Sequence, residues 1–333
     1  MPIRFHRFAG NPIIPRTAGS FYSIHVANPD ILLFQGEYYF YFRGQAEAGH
    51  DQIGVALATP AQFDGIHWNM CPENPILKVG AKPSDFDSGH ILDPATIVLN
   101  GQVWLYYSAH NIDWKKRNVP SGVGLAISSD GIHFEKHAEN PVVIGTAPEV
   151  VLFQNQVYLF FQRKNQHGFF EIFCRQGTDG IHFPESSTTR VFAPSGKPGT
   201  FDQFSISTVR IWQEGNWFYM TYGGCPRFFD YPSAIGLTRS RDLLHWERYP
   251  HNPIFERGPA GSWDEAALWF ATVLKKENQY YLWYEGAGTG LELATPAAIE
   301  ASEQCRNQDY GGYRQFSFSQ IGLATFQGEI EDW

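Results

Sequence analysis

Three carboxylates stand beside prolines at the heads of three apolar runs: Asp30 in Asn28-Pro29-Asp30, Asp93 in Asp93-Pro94-Ala95 and Glu149 in Ala147-Pro148-Glu149. Carboxyl groups gathered in one place can divide proton transfer between them, one kept protonated as an acid and one ionised as a base. A third can set the proton affinity of its neighbour. Asn28 and Asp30 are two residues apart, and Asp93 and Glu149 share one parity about their prolines, so strand alternation turns all three acids to one side. Ser207, Val209, Phe270 and Thr272 hold the matching places later in the chain. A cap for exposed amides would recur in every copy, so the trio is read as functional.

The runs that carry these acids belong to a repeat. Each has an apolar segment, a polar turn (Gln35-Gly36, Asn100-Gly101, Gln154-Asn155) and an aromatic-rich return, and weaker copies follow at 207–222 and 270–285. A second motif recurs as Asp64-Gly65-Ile66-His67, Asp130-Gly131-Ile132-His133 and Asp179-Gly180-Ile181-His182, with His245-Trp246 as a fourth echo. Anchors at Pro29, Pro94, Pro148, Thr208 and Ala271 are 54 to 65 residues apart, a period that suits a propeller blade of four antiparallel strands. The sequence therefore predicts an all-β, five-bladed β-propeller as one domain over 1–333, with blades near 26–80, 90–145, 146–195, 203–256 and 266–333. Asn11-Pro12-Ile13 matches Asn74-Pro75-Ile76, Asn140-Pro141-Val142 and Asn252-Pro253-Ile254, so residues 3–8 should complete the fifth blade and close the ring.

Composition agrees with a large β-domain: aromatics make up 16% of the chain, and Gly and Pro are plentiful. A net charge of −9 argues against a nucleic-acid partner, and Lys115-Lys116-Arg117 reads as a solvated loop. Cys71, Cys174, Cys225 and Cys305 form no CxxC pair, so no metal site is expected. The first residues lack the apolar core of a signal peptide and no window approaches a membrane span, which makes a cytoplasmic protein the expectation.

Antiparallel geometry places the starts of first strands and the ends of second strands on one face, where the long loops also fall. Arg43, Ser108, Gln162, Tyr222 and Glu285 occupy matched second-strand ends, and five different polar groups at one position read as a pocket lining. His110 and Arg163 lie just beyond, and His25 and His90 stand near the first-strand starts. Arg43 and Glu285 are also placed to pair with each other. Asp87, Asp202 and Asp264 recur before first strands and read as turn residues, with Asp202 retained as a pocket candidate. Trp114 and Trp269 are candidate stacking platforms for a sugar ring.

Converging carboxyls without a metal motif or nucleotide loop suit acid/base cleavage of a neutral glycoside. Through its repeats, essentially the whole chain resembles the five-bladed glycosidases of glycoside hydrolase families 43, 32, 68, 117 and 130. The resemblance implies a hydrolase acting on a small oligosaccharide or a chain end, expected to be inverting, with no cofactor required and a structural calcium at the axis left open. The second-blade Asp-Pro of family 43 is matched by Asp93-Pro94, whereas Asn28 stands where that family has an acid and Glu149 follows its proline instead of preceding it. One assignment makes Glu149 the acid, Asp30 the base and Asp93 the tuning group. The comparison with family 130, whose Glu-Asp-Pro-Arg reads Leu92-Asp93-Pro94-Ala95 here, makes Asp93 the acid. Two alternatives remain: a mannoside-type phosphorylase with Arg43 and Arg163 gripping phosphate, and a carbohydrate-binding propeller without catalysis. Residues 286–319 break the repeat and, with a short helix after Thr295-Pro296, read as a lid or a subunit contact.

Overall fold

In the computed structural model, residues 2–113, 121–227, 230–288, 318–330 and 333 are described. Trp114, the 115–117 basic run, Cys305 and most of the 286–319 insertion, including the stretch expected to form a short helix, lie outside them.

Five antiparallel sheets form the five blades, as the repeat predicts. The innermost strands are His25–Phe34, His90–Leu99, Thr146–Phe153, Ser205–Glu214 and Ala267–Lys276. Second strands follow at Glu37–Gln45, Gln102–His110, Gln156–Lys164, Trp217–Cys225 and Gln279–Gly288, and third strands at Asp51–Ala58, Gly122–Ser128, Phe170–Gly177, Ala234–Ser240 and Phe318–Gln327. The first three hairpins turn through two successive residues of positive φ, Gln35-Gly36, Asn100-Gly101 and Gln154-Asn155. That is the type I′ geometry matching the twist of the flanking strands.

Blades are fastened to one another from the turns inward. In each Asp-Gly-type turn the aspartate accepts two backbone N–H bonds; Asp130 accepts from Ile132 and His133, both at 2.9 Å. The turn then presents carbonyls to the preceding blade: Tyr41 donates to Gly131 and Tyr106 to Gly180, while Trp283 donates to Gly65. Outer edges are short and, in four blades, are interrupted at an Asn-Pro step. There the asparagine side chain replaces the ladder, as when Asn74 pairs with both the N–H and the C=O of Val55 at 2.8 Å. Asn11 does the same to Leu323, and His6 and Arg7 pair with Thr325 and Ala324. The N-terminal segment thus supplies the last strand of the fifth blade, and the ring closes as expected.

Candidate active site

Every innermost strand carries the same bulge. Pairing shifts between Ala27 and Asp30, Leu92 and Ala95, Thr146 and Glu149, Ser207 and Arg210, and Trp269 and Thr272. The first bulged residue is left-handed in each blade: Asn28 (φ 51), Asp93 (57), Ala147 (51), Thr208 (53) and Phe270 (44). Asn and Asp tolerate this region best, and the next residue is proline in three blades. An extra residue reverses the alternation of side chains beyond it. Asn28 consequently reaches back to the fifth blade, donating Nδ2–H to Glu285 at 2.8 Å. Asp30 points forward instead, accepting the Thr96 amide at 2.8 Å and its hydroxyl at 2.6 Å. Glu149 likewise accepts the Ile211 amide of the fourth blade at 3.0 Å.

The expectation that the three acids lean together is therefore corrected. Asp30 and Glu149 are equivalent to each other, and Asp93 is equivalent to Asn28. The fourth-blade counterpart of Asp30 and Glu149 is Arg210, which an anchor one residue early in that blade conceals in the sequence. Arg210 is 2% exposed and donates to Glu149 at 3.1 Å. Burial raises the carboxyls of Asp30 and Glu149, and Arg210 counteracts it.

Asp93 belongs to a second group, beside the second-strand ends. Burial lifts its carboxyl to about 6 against the pull of Ser108, Arg43 and Arg210, while the charge of Glu285 adds to the rise. Glu285 is 2% exposed and is held by Asn28 and by the Ser319 hydroxyl. The predicted Arg43–Glu285 pair forms at 3.6 Å, and Arg43 also faces Asp51 at 3.5 Å. Burial disfavours the Asp51 charge, yet Arg43 and a 2.8 Å hydrogen bond to His90 hold that carboxyl down at about 2. Within one cluster a carboxyl raised to about 6 thus shares Arg43 with the Asp51 carboxylate, held down by its donors, and such a separation of proton affinities is what acid/base chemistry needs. His110 is bonded to Ser121, with its ring 6.2 Å from that of His90.

Second-strand ends have a structural task as well. Ser108 accepts the Ala147 amide at 2.7 Å, Gln162 that of Thr208 at 3.3 Å and Glu285 that of Asn28 at 3.4 Å, so each caps the bulge of the following blade. In the fourth blade the matching residue is Gly223, opposite Ser207, not Tyr222. A slip of one residue turns Tyr222 to the other face, where it donates to Asp202 at 3.2 Å beside Arg248. Tyr107 and Lys136 on Asp87, and Tyr284 and Arg7 on Asp264, repeat this grouping. Asp202 is accordingly a blade fastener. Arg163 donates to the Ile144 carbonyl and Glu185, apart from the acids. Trp269 is buried, bonded to Asp230 and packed with Tyr231, Phe270 and Ala147 in an apolar wall. Two clefts, of about 970 Å³ between the first and second blades and about 700 Å³ beside Arg16 and Phe318, do not include the acids. Asp51, Ser319 and Arg210 were not singled out by sequence; a lone arginine in the apolar run Ser207-Thr208-Val209-Arg210-Ile211-Trp212 was the signal for the last.

No protein-family model and no curated protein matches the chain. Solved structures do. An N-acetylgalactosamine deacetylase from F. plautii, solved with blood group B trisaccharide, superposes with a TM-score of 0.73 at 17% identity over 97% of this chain and 95% of its own. A glycosyl hydrolase from Bacteroides ovatus gives 0.68 at 16% identity, covering 97% and 93%. A member of the GH130 family of mannoside phosphorylases and glycoside hydrolases gives 0.69 at 15% identity with the same coverages. The chain shares the fold of these carbohydrate-active proteins from end to end.

Proposed function

We propose that the protein is a glycoside hydrolase whose acid is Asp93. The carrying observation is the buried Asp93 carboxyl, raised to about 6 and electrostatically coupled to Glu285, whose side chain accepts from Asn28 and Ser319. Asp93 protonates the departing glycosidic oxygen, and Glu285, oriented by Asn28, Ser319 and Arg43, is the carboxylate that activates water. Removing a general acid typically costs ~10²–10⁴-fold in rate. Asp93→Asn should lose that much turnover on an oligosaccharide or alkyl glycoside, and much less on a nitrophenyl glycoside, whose leaving group needs no proton. Equal losses on both would count against the role. Asp30 and Glu149, the other candidates for acid and base, flank the buried Arg210 guanidinium, and their part is structural in this reading.

Water rather than phosphate is the acceptor in this reading. Arg43 is paired with Asp51 and Glu285, and Arg163 with a carbonyl and Glu185, so both phosphate-clamp candidates already face carboxylates of this chain. Turnover should not depend on added phosphate, and NMR of the first-formed anomer reports whether it proceeds with inversion. Acetate release from an N-acetylgalactosaminide would instead assign the amide chemistry named for the F. plautii protein. Tight sugar binding with no turnover would assign a binding propeller.

A further inference from the structure

Arg210 is a buried cation that the proposed reaction does not use, and its guanidinium reaches every other blade. Nε donates to the Pro29 carbonyl of the first blade at 3.4 Å, Nη2 to Pro94 of the second at 2.7 Å, and Nη1 to Pro148 of the third at 3.1 Å. Its plane lies over the Phe270 ring of the fifth, 4.6 Å from the centroid. Each contact falls on a bulge, either on its left-handed residue or on the residue that follows. The gripped carbonyls belong to the Pro29–Asp30 and Pro94–Ala95 peptides, so Arg210 anchors the far side of the two prolines to which Asn28 and Asp93 are joined.

We propose that Arg210 is a positioning residue for the acid pair, a five-donor hub that sets the height and rotation of the bulges bearing Asn28 and Asp93. The planar fork suits the task, because a lysine ammonium has no fixed geometry with which to serve carbonyls from three blades. Asp30 and Glu149 then acquire a purpose in balancing its buried charge. A bulge alone would leave the tilt of its proline carbonyl unspecified. With three carbonyls sharing one guanidinium, a shift of one blade is opposed by the other two. The inference rests on the assignment of Asp93 as the acid for its catalytic consequence, but the geometric claim has a readout that needs no substrate.

The test compares Arg210→Lys, which keeps charge and loses the fork, with the triple variant Arg210→Met, Asp30→Asn, Glu149→Gln, which removes the charges without leaving a carboxylate buried alone. Titration of ¹³C-carboxyl-labelled aspartates, with the Asp93 resonance assigned from Asp93→Asn, follows the acid directly. In the triple variant the Asp93 midpoint should rise, since Arg210 no longer favours its charged form. In Arg210→Lys the kcat on an oligosaccharide should fall about tenfold or more, as expected for a misplaced reacting group, with KM little changed. Folded variants with a wild-type midpoint and wild-type kcat overturn the proposal. Variants that fail to fold also overturn it, since Arg210 would then be only a clasp for the ring. If Asp93→Asn remains fully active, the assignment of Asp93 as the acid fails, while the shift of the midpoint still decides the role of Arg210.

Discussion

Asp93 and Asp51 share one cluster and respond to pH in opposite senses. The folded-state value of Asp93, about 6 against an ordinary 3.8, means that protonation favours the native state. Its contribution is complete below pH 4 and disappears as pH rises through 6, a difference of ~3 kcal/mol. Asp51, held at about 2, contributes stability above its ordinary value, and ~2 kcal/mol is lost as pH falls from 4 through 2. Asp93→Asn should therefore raise the urea midpoint at pH 7 and leave it nearly unchanged at pH 4, while Asp51→Asn should lower it at pH 7. An unchanged midpoint for Asp93→Asn at pH 7 would show that its charge is not costly in the native state. Asp93 was recognisable in sequence as an acid beside a proline. The partnership with Asp51 was not, because Asp51 opens a third strand and meets Arg43 only through the folded hairpin.

At the scale of single elements, the N-terminal strand shows how local motifs can specify distant pairing. Asn11-Pro12 matches three other Asn-Pro steps in the sequence, and the match places residues 3–8 on the fifth blade. Arg7 then meets Asp264, whose side chain is fully buried, at 2.7 Å. Removing a partner from a buried carboxylate costs more than the pair is worth. Because Arg7 is partly exposed, we expect Arg7→Ala to destabilise by ~2 kcal/mol. Arg7→Ala with Asp264→Asn should recover most of that loss in urea unfolding, and a strictly additive double mutant would contradict this account. The bulge is the element that sequence reasoning could not supply. Parity counting assumes an uninterrupted strand, and one inserted residue per blade sends Asp30 and Asp93 to different neighbours. Where proline marked the bulge, the blades aligned correctly; in the fourth blade Val209 replaces it, the register slipped by one, and Arg210 and Gly223 were hidden together.

Across the whole molecule, the fold was legible because it is written five times, and the site was not because it is written once. Repetition separated the blade fasteners, such as the Asp-Gly-Ile-His turns, from the mouth, and it exposed Tyr222 and Asp202 as structural only when registers could be compared in space. The mouth itself is asymmetric among the described residues. Arg43, Asp51, His90, Asp93 and Glu285 line the side of the first, second and fifth blades, and Ala147, Tyr231, Trp269 and Phe270 make an apolar wall from the third to the fifth.

The central claim is that Asp93 delivers the proton. The pH dependence of kcat/KM, measured on an unactivated oligosaccharide that the wild type cleaves, tests it most directly. The account predicts a limb that falls about tenfold per pH unit above pH ~6 and turnover that all but vanishes in Asp93→Asn. A rate that stays level from pH 5 to 8, or an Asp93→Asn enzyme as fast as the wild type on that substrate, would contradict it.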